Sequence, residues 1–352
     1  MAKRFIAKRG DTPSTKDRRT SNVRRTVAEE YTIREALEIF ISAKEAEGIR
    51  PRTVLDYRQH AEYFARYMQN DEFLISEITP ERIREYVNYL RKERRAYDGD
   101  DTRVKSEKGL SVNTINTRLR TMKTMCIFWY GEGMIYSNPM MGIKMMRDDE
   151  LEEVPGLTDE EVDKVLNSYD EKQFAEWRDK TLVLLLLDTG MRINEAVNLQ
   201  VEQIDFKRPS VYVSSQIAKN RKRRDIPLSR EVAKRLRLLI EETRQYFGND
   251  VQYLFMTAYG EDFSADTFRR RLNRLKRRLD IPRLSPHMFR HTFARNYVLN
   301  GGDIFTLQQI LDHADIKTTR KYVQMDDEHV RSQHNKFSPV RRLLKRSGRA
   351  RL

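Results

Sequence analysis

One cysteine, Cys126, stands in 352 residues. No internal disulfide framework or cysteine-rich zinc module can therefore be built, and the chain suits a reducing cytosol. No apolar run approaches the roughly 18 residues that a membrane span requires; the densest is Leu182 to Leu187. Met1-Ala2-Lys3-Arg4 has no apolar stretch behind it, so a secretory signal is not expected and the chain reads as cytoplasmic, with no membrane partner. A Gly-x-x-x-x-Gly-Lys-[Ser/Thr] loop is missing, and with it the signature of phosphate-cradling nucleotide chemistry.

Acid is scarce where base is dense. Residues 1–27 carry nine Lys or Arg against two Asp, and residues 329–352 carry eight against none. These tails hold +15, while the whole chain sums to +14, so residues 28–328 are close to neutral at −1. Basic tails around a balanced body commonly grip polyanions, nucleic acid above all; solubilising arms are the plainer alternative. Inside the body, Lys219, Arg221, Lys222, Arg223 and Arg224 crowd one turn between strand-like segments. Residues 266–280 form a second basic element. Phe268, Leu272, Leu275 and Leu279 make an apolar stripe, and Arg269, Arg270, Arg271, Arg274, Lys276, Arg277 and Arg278 occupy the other faces, with no acid between Phe268 and Leu279. A solvated helix normally mixes both signs, so this one is expected to lie against phosphates.

Helical spacing dominates the first half. Ile33, Leu37 and Phe40–Ile41 run to Gly48, Pro51 opens a helix with Leu55, Tyr57, Phe64 and Met68, and Thr79-Pro80 caps a third with Ile83, Val87 and Leu90. A polar loop over 96–110 precedes a fourth helix from Ser111 with Ile115, Leu119, Met122 and Cys126. Four helices without a strand signal predict an all-α domain over 28–145. After a linker at 146–156 come a helix capped by Thr158, a strongly apolar helix at 175–188 and a short helix at 192–199. Short strands follow at 204–206, 211–213 and 225–228, then helices to the end. This second domain is expected over 157–325, between a flexible arm (1–27) and a basic tail (326–352).

Ser285-Pro286 opens a helix with His287 and Arg290 three apart, near the positive helix terminus where an anion is welcome. His313 follows Arg290 after 23 positions and Tyr322 follows nine later, behind Thr318-Thr319. Upstream stands Thr189-Gly190-Met191-Arg192-Ile193-Asn194-Glu195. Together these resemble the tyrosine recombinases, the phage integrase and Xer family: a Thr-Gly-x-Arg-x-x-Glu box, a basic β-hairpin with Lys219 in the catalytic-lysine place, His-x-x-Arg, a Leu-Gly-His-like turn and Thr-Thr-x-x-Tyr. The likeness is specific over about 157–325 and looser over 31–139. Asp312 stands where the family has glycine, and Ala218 and Asn220 replace hairpin glycines.

The resemblance implies a mainly α protein with a small antiparallel sheet: a SAM-like core-binding domain and an α/β integrase catalytic domain forming a clamp on double-stranded DNA. It assigns Tyr322 as nucleophile, Arg192 and Arg290 as phosphate clamps, and Lys219 as general acid. His313 becomes a phosphate ligand, His287 an acid/base or orienting group and Glu195 a support. Guanidinium groups stay cationic and bind phosphate oxygens bidentately, whereas a phenol with an ordinary pKa near 10 needs help to attack. Arg221, Lys222, Arg223, Arg224, Arg269, Arg270, Arg271, Arg274 and Arg277 are expected on DNA. The phosphotyrosine bond conserves energy, so no cofactor is expected. No metal is expected either: His287 and His291 have zinc-helix spacing but lack the intervening Glu, and His291 reads as a packed helix residue. A homotetramer on DNA is implied, with an accessory directionality factor left open. A mobile-element integrase or transposase is preferred over a dimer resolvase because of the arm and the 96–110 insertion. Type IB topoisomerase and non-catalytic regulator are the rivals.

Overall fold

The computed structural model describes residues 30–95, 109–147, 156–215, 223–320, 322, 331 and 334–340. The side chains of residues 317 and 320 are not described. The 1–27 arm, nearly all of the 96–110 loop, Lys219, Arg221 and Lys222 lie outside the described residues, as does most of the tail. The chain divides into two compact units, 1–151 and 152–352.

The described part of the first unit is helical: α1 (Ile33–Ala46), α2 (Pro51–Met68), α3 (Pro80–Lys92) and α4 (Val112–Gly131). Local chemistry sets the starts. Thr32 and Glu35 form a reciprocal capping box, Thr79 caps α3 with Pro80 in its first turn, and Ser111 accepts from Thr114 N. Trp129 is fully buried and its indole N–H donates to the Ala36 carbonyl at 3.0 Å, tying α4 to α1. Phe64 meets Phe73 and Tyr86 edge to face, at 5.7 and 5.0 Å between ring centroids. Each such buried ring contributes about 1.5–3 kcal/mol. Leu55, expected inward, is 57% exposed; the buried face of α2 is Val54, Ala61, Phe64 and Ala65. The step of 100° between neighbours puts Leu55 off that stripe. Burial pushes the Cys126 thiol up to about 12, so it is an inert core group.

The second unit contains α5 (Asp159–Asn167), α6 (Phe174–Thr189), α7 (Ile193–Val197), strands β1 (Ile204–Asp205), β2 (Ser210–Val213) and β3 (Arg224–Pro227), then α8 (Arg230–Phe247), α9 (Ala265–Leu279), α10 (Pro286–Leu299), α11 (Ile304–Leu311) and α12 (Ile316–Arg320). The strands form an antiparallel sheet in order β1-β2-β3, with Val211 opposite both Ile204 and Ile226. The second half of α6 is apolar on nearly every side because it is the central rod: Leu182, Val183, Leu185 and Leu186 are fully buried, and α8 and α10 pack on the helix. No helix among the described residues is long and apolar enough to cross a membrane.

Candidate active site

The site forms where the C-terminal end of α6, the start of α7, the start of β3 and the turn after α11 meet the first half of α10. Gly190 makes the first junction. Its φ of +62° ends α6 in the left-handed conformation, and a Cβ there would lie 2.4 Å from Phe293 Cδ1 and 2.7 Å from Leu311 Cδ2. The close approach leaves the Gly190 carbonyl facing α10. Arg290 Nη1 donates to it at 2.8 Å and Nη2 donates to the Leu311 carbonyl at 2.7 Å. Arg290 is thus 4% exposed on a helix whose start is held by the Ser285 cap and Pro286. Burial, then repulsion from Arg192, lowers its pKa to about 10, which leaves it cationic at neutral pH.

Arg192 precedes α7. Its Nη1 donates to Glu195 Oε1 at 3.2 Å, its Nη2 donates to the Asp312 carbonyl at 3.2 Å, and its backbone N–H donates to Glu195 Oε2 at 3.1 Å. Glu195 is fully buried and also accepts from Arg224 Nη2 at 2.7 Å. Burial alone would raise the Glu195 carboxyl. The Arg224 hydrogen bond and the charges of Arg224 and Arg192 outweigh it and bring the pKa below the ordinary value. The pairing of Arg192 with Glu195 is part of the site.

His313 lies in the turn after α11. Asp312 ends that helix at φ 52°, the left-handed conformation that glycine favours and aspartate tolerates, so the substitution leaves the turn intact. The Asp312 carboxylate Oδ2 is 3.6 Å from Arg192 Nη1 and 3.8 Å from Arg224 Nη1. His313 Nδ1 pairs with Thr319 Oγ1 at 2.9 Å. Burial, with Arg290 and Arg192 nearby, lowers the imidazole to about 4, so it is neutral at physiological pH. Tyr322 follows α12. Its ring lies nearly parallel to that of His313, with 6.4 Å between centroids and 14° between planes. Burial raises the phenol while Arg290 pulls it down, with a net upward shift.

The structure thus brings Arg192, Glu195, Arg290, His313 and Tyr322 together. His287 is exposed in the first turn of α10, its ring 6.4 Å from that of His291. His291 was missed: its Nδ1 is 2.7 Å from Tyr322 Oη. The available signal was its place beside Arg290 and one helical turn beyond His287.

Among the residues expected on DNA, Arg223 is exposed, as are Arg269, Arg270, Arg274 and Arg277 of α9. Two are tied to buried carboxylates instead. Arg224 is held by Glu195 and the Ile310 carbonyl, the latter at 3.2 Å. Arg271 pairs with Asp179 and donates to the Ala175 carbonyl at 3.4 Å, beside the buried Arg178–Asp179 pair. Both corrections have one cause: a buried carboxylate needs a cation, and charge runs in sequence do not reveal which member supplies it.

Residues 156–329 match the phage integrase family and residues 32–145 the phage integrase SAM-like domain. The chain belongs to the phage integrase family of tyrosine recombinases. Its activity is tyrosine-type site-specific DNA recombination. Tyrosine recombinase XerC of Oceanobacillus iheyensis is 26% identical over 296 residues, covering 82% of this chain and 90% of that protein. Tyrosine recombinase XerD of Pasteurella multocida is 32% identical over 187 residues, 52% of this chain and 62% of that one. In fold, the recombinase is similar to the Tn1549 transposon integrase solved with a circular intermediate DNA. The TM-score is 0.68 at 20% identity, covering 87% of this chain and all of that one. Lambda integrase, solved as a dimer on a COC′ core site, gives a TM-score of 0.61 at 17% identity, with 85% and 79% covered.

Proposed function

We propose that the recombinase cuts double-stranded DNA by attack of Tyr322 Oη on a phosphodiester. The product is a 3′-phosphotyrosine, and strands are exchanged through a Holliday junction. The observation that carries this reading is the gathering of Arg192, Arg290 and His313 around Tyr322 within one chain. Arg290 and Arg192 offer fixed positive charge to the oxygens that gain charge in the transition state. With the His313 proton on Nε2, Nδ1 accepts from Thr319 and Nε2–H is left to donate to the phosphate. Glu195 aims Arg192. Lys219 protonates the leaving 5′ oxygen, His287 has an acid/base or orienting part, and Arg223, Arg269, Arg270, Arg274 and Arg277 hold DNA phosphates. The test is a nicked suicide substrate: the wild type forms a covalent adduct and exchanges strands, and Tyr322→Phe forms none while keeping DNA affinity. An adduct in Tyr322→Phe rejects the assignment.

The biological role we read as integration or transposition of a mobile element, supported by the basic 1–27 arm and the 96–110 insertion. Dimer resolution is the second reading, favoured by curated relatives named XerC and XerD that match 82–83% of this chain. Footprinting separates them: protected core sites flanking the gene support the first, and their absence there supports the second. On DNA we expect two subunits per site and four in the synapse, working at the nucleoid, with a directionality factor as the open partner. Val340, Leu343 and Leu344 of the tail would dock on a neighbour; truncation after Met325 should abolish the tetramer, and an intact tetramer excludes the docking.

A further inference from the structure

The nucleophile's own proton needs an acceptor within reach of Tyr322 Oη. Tyr322 Oη must lose it before or as the O–P bond forms, and burial makes that loss harder. Arginines have only donors, so Arg192 and Arg290 can stabilise a phenolate and cannot take its proton. The His313 Nδ1 is engaged with Thr319, and its ring lies alongside that of Tyr322. His287 stands exposed at the first turn of α10.

His291 is placed differently. Its Nδ1 lies 2.7 Å from Tyr322 Oη, a direct hydrogen bond, with ring centroids 5.5 Å apart. With the imidazole proton on Nε2, Nδ1 accepts from the phenol. Its mounting is rigid: the preceding residue, Arg290, is anchored to two carbonyls, and the 100° step along α10 turns one side chain to the α6 and α11 ends and the next to the phenol. Among the described residues, the ionisable groups around it include His287 and Arg290 on its own helix, His313 from the turn after α11, and Tyr322.

We propose that His291 is a catalytic residue: the general base that takes the Tyr322 proton during cleavage and the general acid that returns it during rejoining. This rests on Tyr322 being the nucleophile. In cleavage the Oη–H bond breaks and Nδ1–H forms. The Oη electron pair makes the bond to phosphorus, the P–O5′ bond breaks, and O5′ leaves with a proton from Lys219. Rejoining reverses each step, so His291 leaves the cycle in the form in which it entered.

The test is single-turnover cleavage of a nicked suicide substrate, with oxygen or sulfur at the bridging 5′ position. A sulfur leaving group needs no protonation, so it bypasses the acid and leaves the base step exposed. His291→Ala and His291→Asn should each slow adduct formation by about 10²–10⁴-fold on both substrates, with DNA affinity retained. Lys219→Ala should be slowed on the oxygen substrate and restored by sulfur. The wild-type rate should rise through the imidazole range and level off; the His291→Asn rate should keep climbing with pH, and added imidazole should partly restore His291→Ala. Asparagine can still hydrogen-bond the phenol, so a wild-type rate in His291→Asn overturns the proton transfer, as does rescue of His291→Ala by sulfur. Absence of any wild-type adduct would instead overturn the Tyr322 reading itself, and this proposal with it.

Discussion

His313 shows how one side chain links the site to stability. Its imidazole is displaced from 6.5 to about 4 by burial and by the neighbouring arginines. Between those values the unfolded chain holds a proton that the folded chain does not, so acid favours unfolding. Stability of the recombinase, read from urea midpoints, should fall as pH drops from 6.5 toward 4 and level off below. His313→Gln should flatten that window; an unchanged slope would mean the imidazole is not held neutral. The Glu195 carboxyl acts in the same sense at lower pH: its stabilisation is full above the ordinary carboxylate value and is lost as pH falls through its lowered one. Its removal is more drastic. Glu195→Ala leaves Arg192 and Arg224 without their shared buried partner, and about 3 kcal/mol of stability should go with it. Arg224→Ala should lower the same midpoint. If it only weakens DNA binding, Arg224 belongs with the surface arginines after all.

At the scale of elements, α6 and α9 show two ways in which pattern becomes position. Helix α6 ends at Gly190, where a methyl group would have to displace Phe293 and Leu311. Gly190→Ala should therefore cost about 2–4 kcal/mol, from left-handed strain plus overpacking. It should also loosen Arg290, whose anchor is the Gly190 carbonyl; cleavage should fall more than DNA affinity. Helix α9 carries one dry face and a basic remainder, but its arginines have different duties. Arg270→Ala and Arg274→Ala should weaken DNA binding and lower its salt slope by about one unit each, with the melting temperature unchanged. Arg271→Ala should lower the melting temperature, because Asp179 is buried and loses an ion-pair partner. Anisotropy titrations across salt and thermal melts separate the two sets.

For the whole molecule, the charge budget is concentrated in the tails. Deleting residues 1–27 removes nine cations and should reduce affinity mainly at low salt, while the urea midpoint stays the same. A shifted midpoint would mean that the arm packs on the body. Much of the architecture was legible beforehand, because local rules set it. Thr79-Pro80, Ser111, Thr158 and Ser285-Pro286 all cap the helices they announce. The resemblance to the tyrosine recombinases picked out Arg192, Glu195, Arg290, His313 and Tyr322, and the fold brings these five near one another. By itself the sequence determined where helices begin, which stripe of each is apolar and which residue types carry the chemistry. Only the tertiary structure decided which cation meets which buried carboxylate: Arg224 with Glu195, Arg271 with Asp179. It also decided that His291 meets the Tyr322 hydroxyl. Those pairings join positions 29, 92 and 31 residues apart, and over such separations the packing of helices, not the order of residues, sets who touches whom.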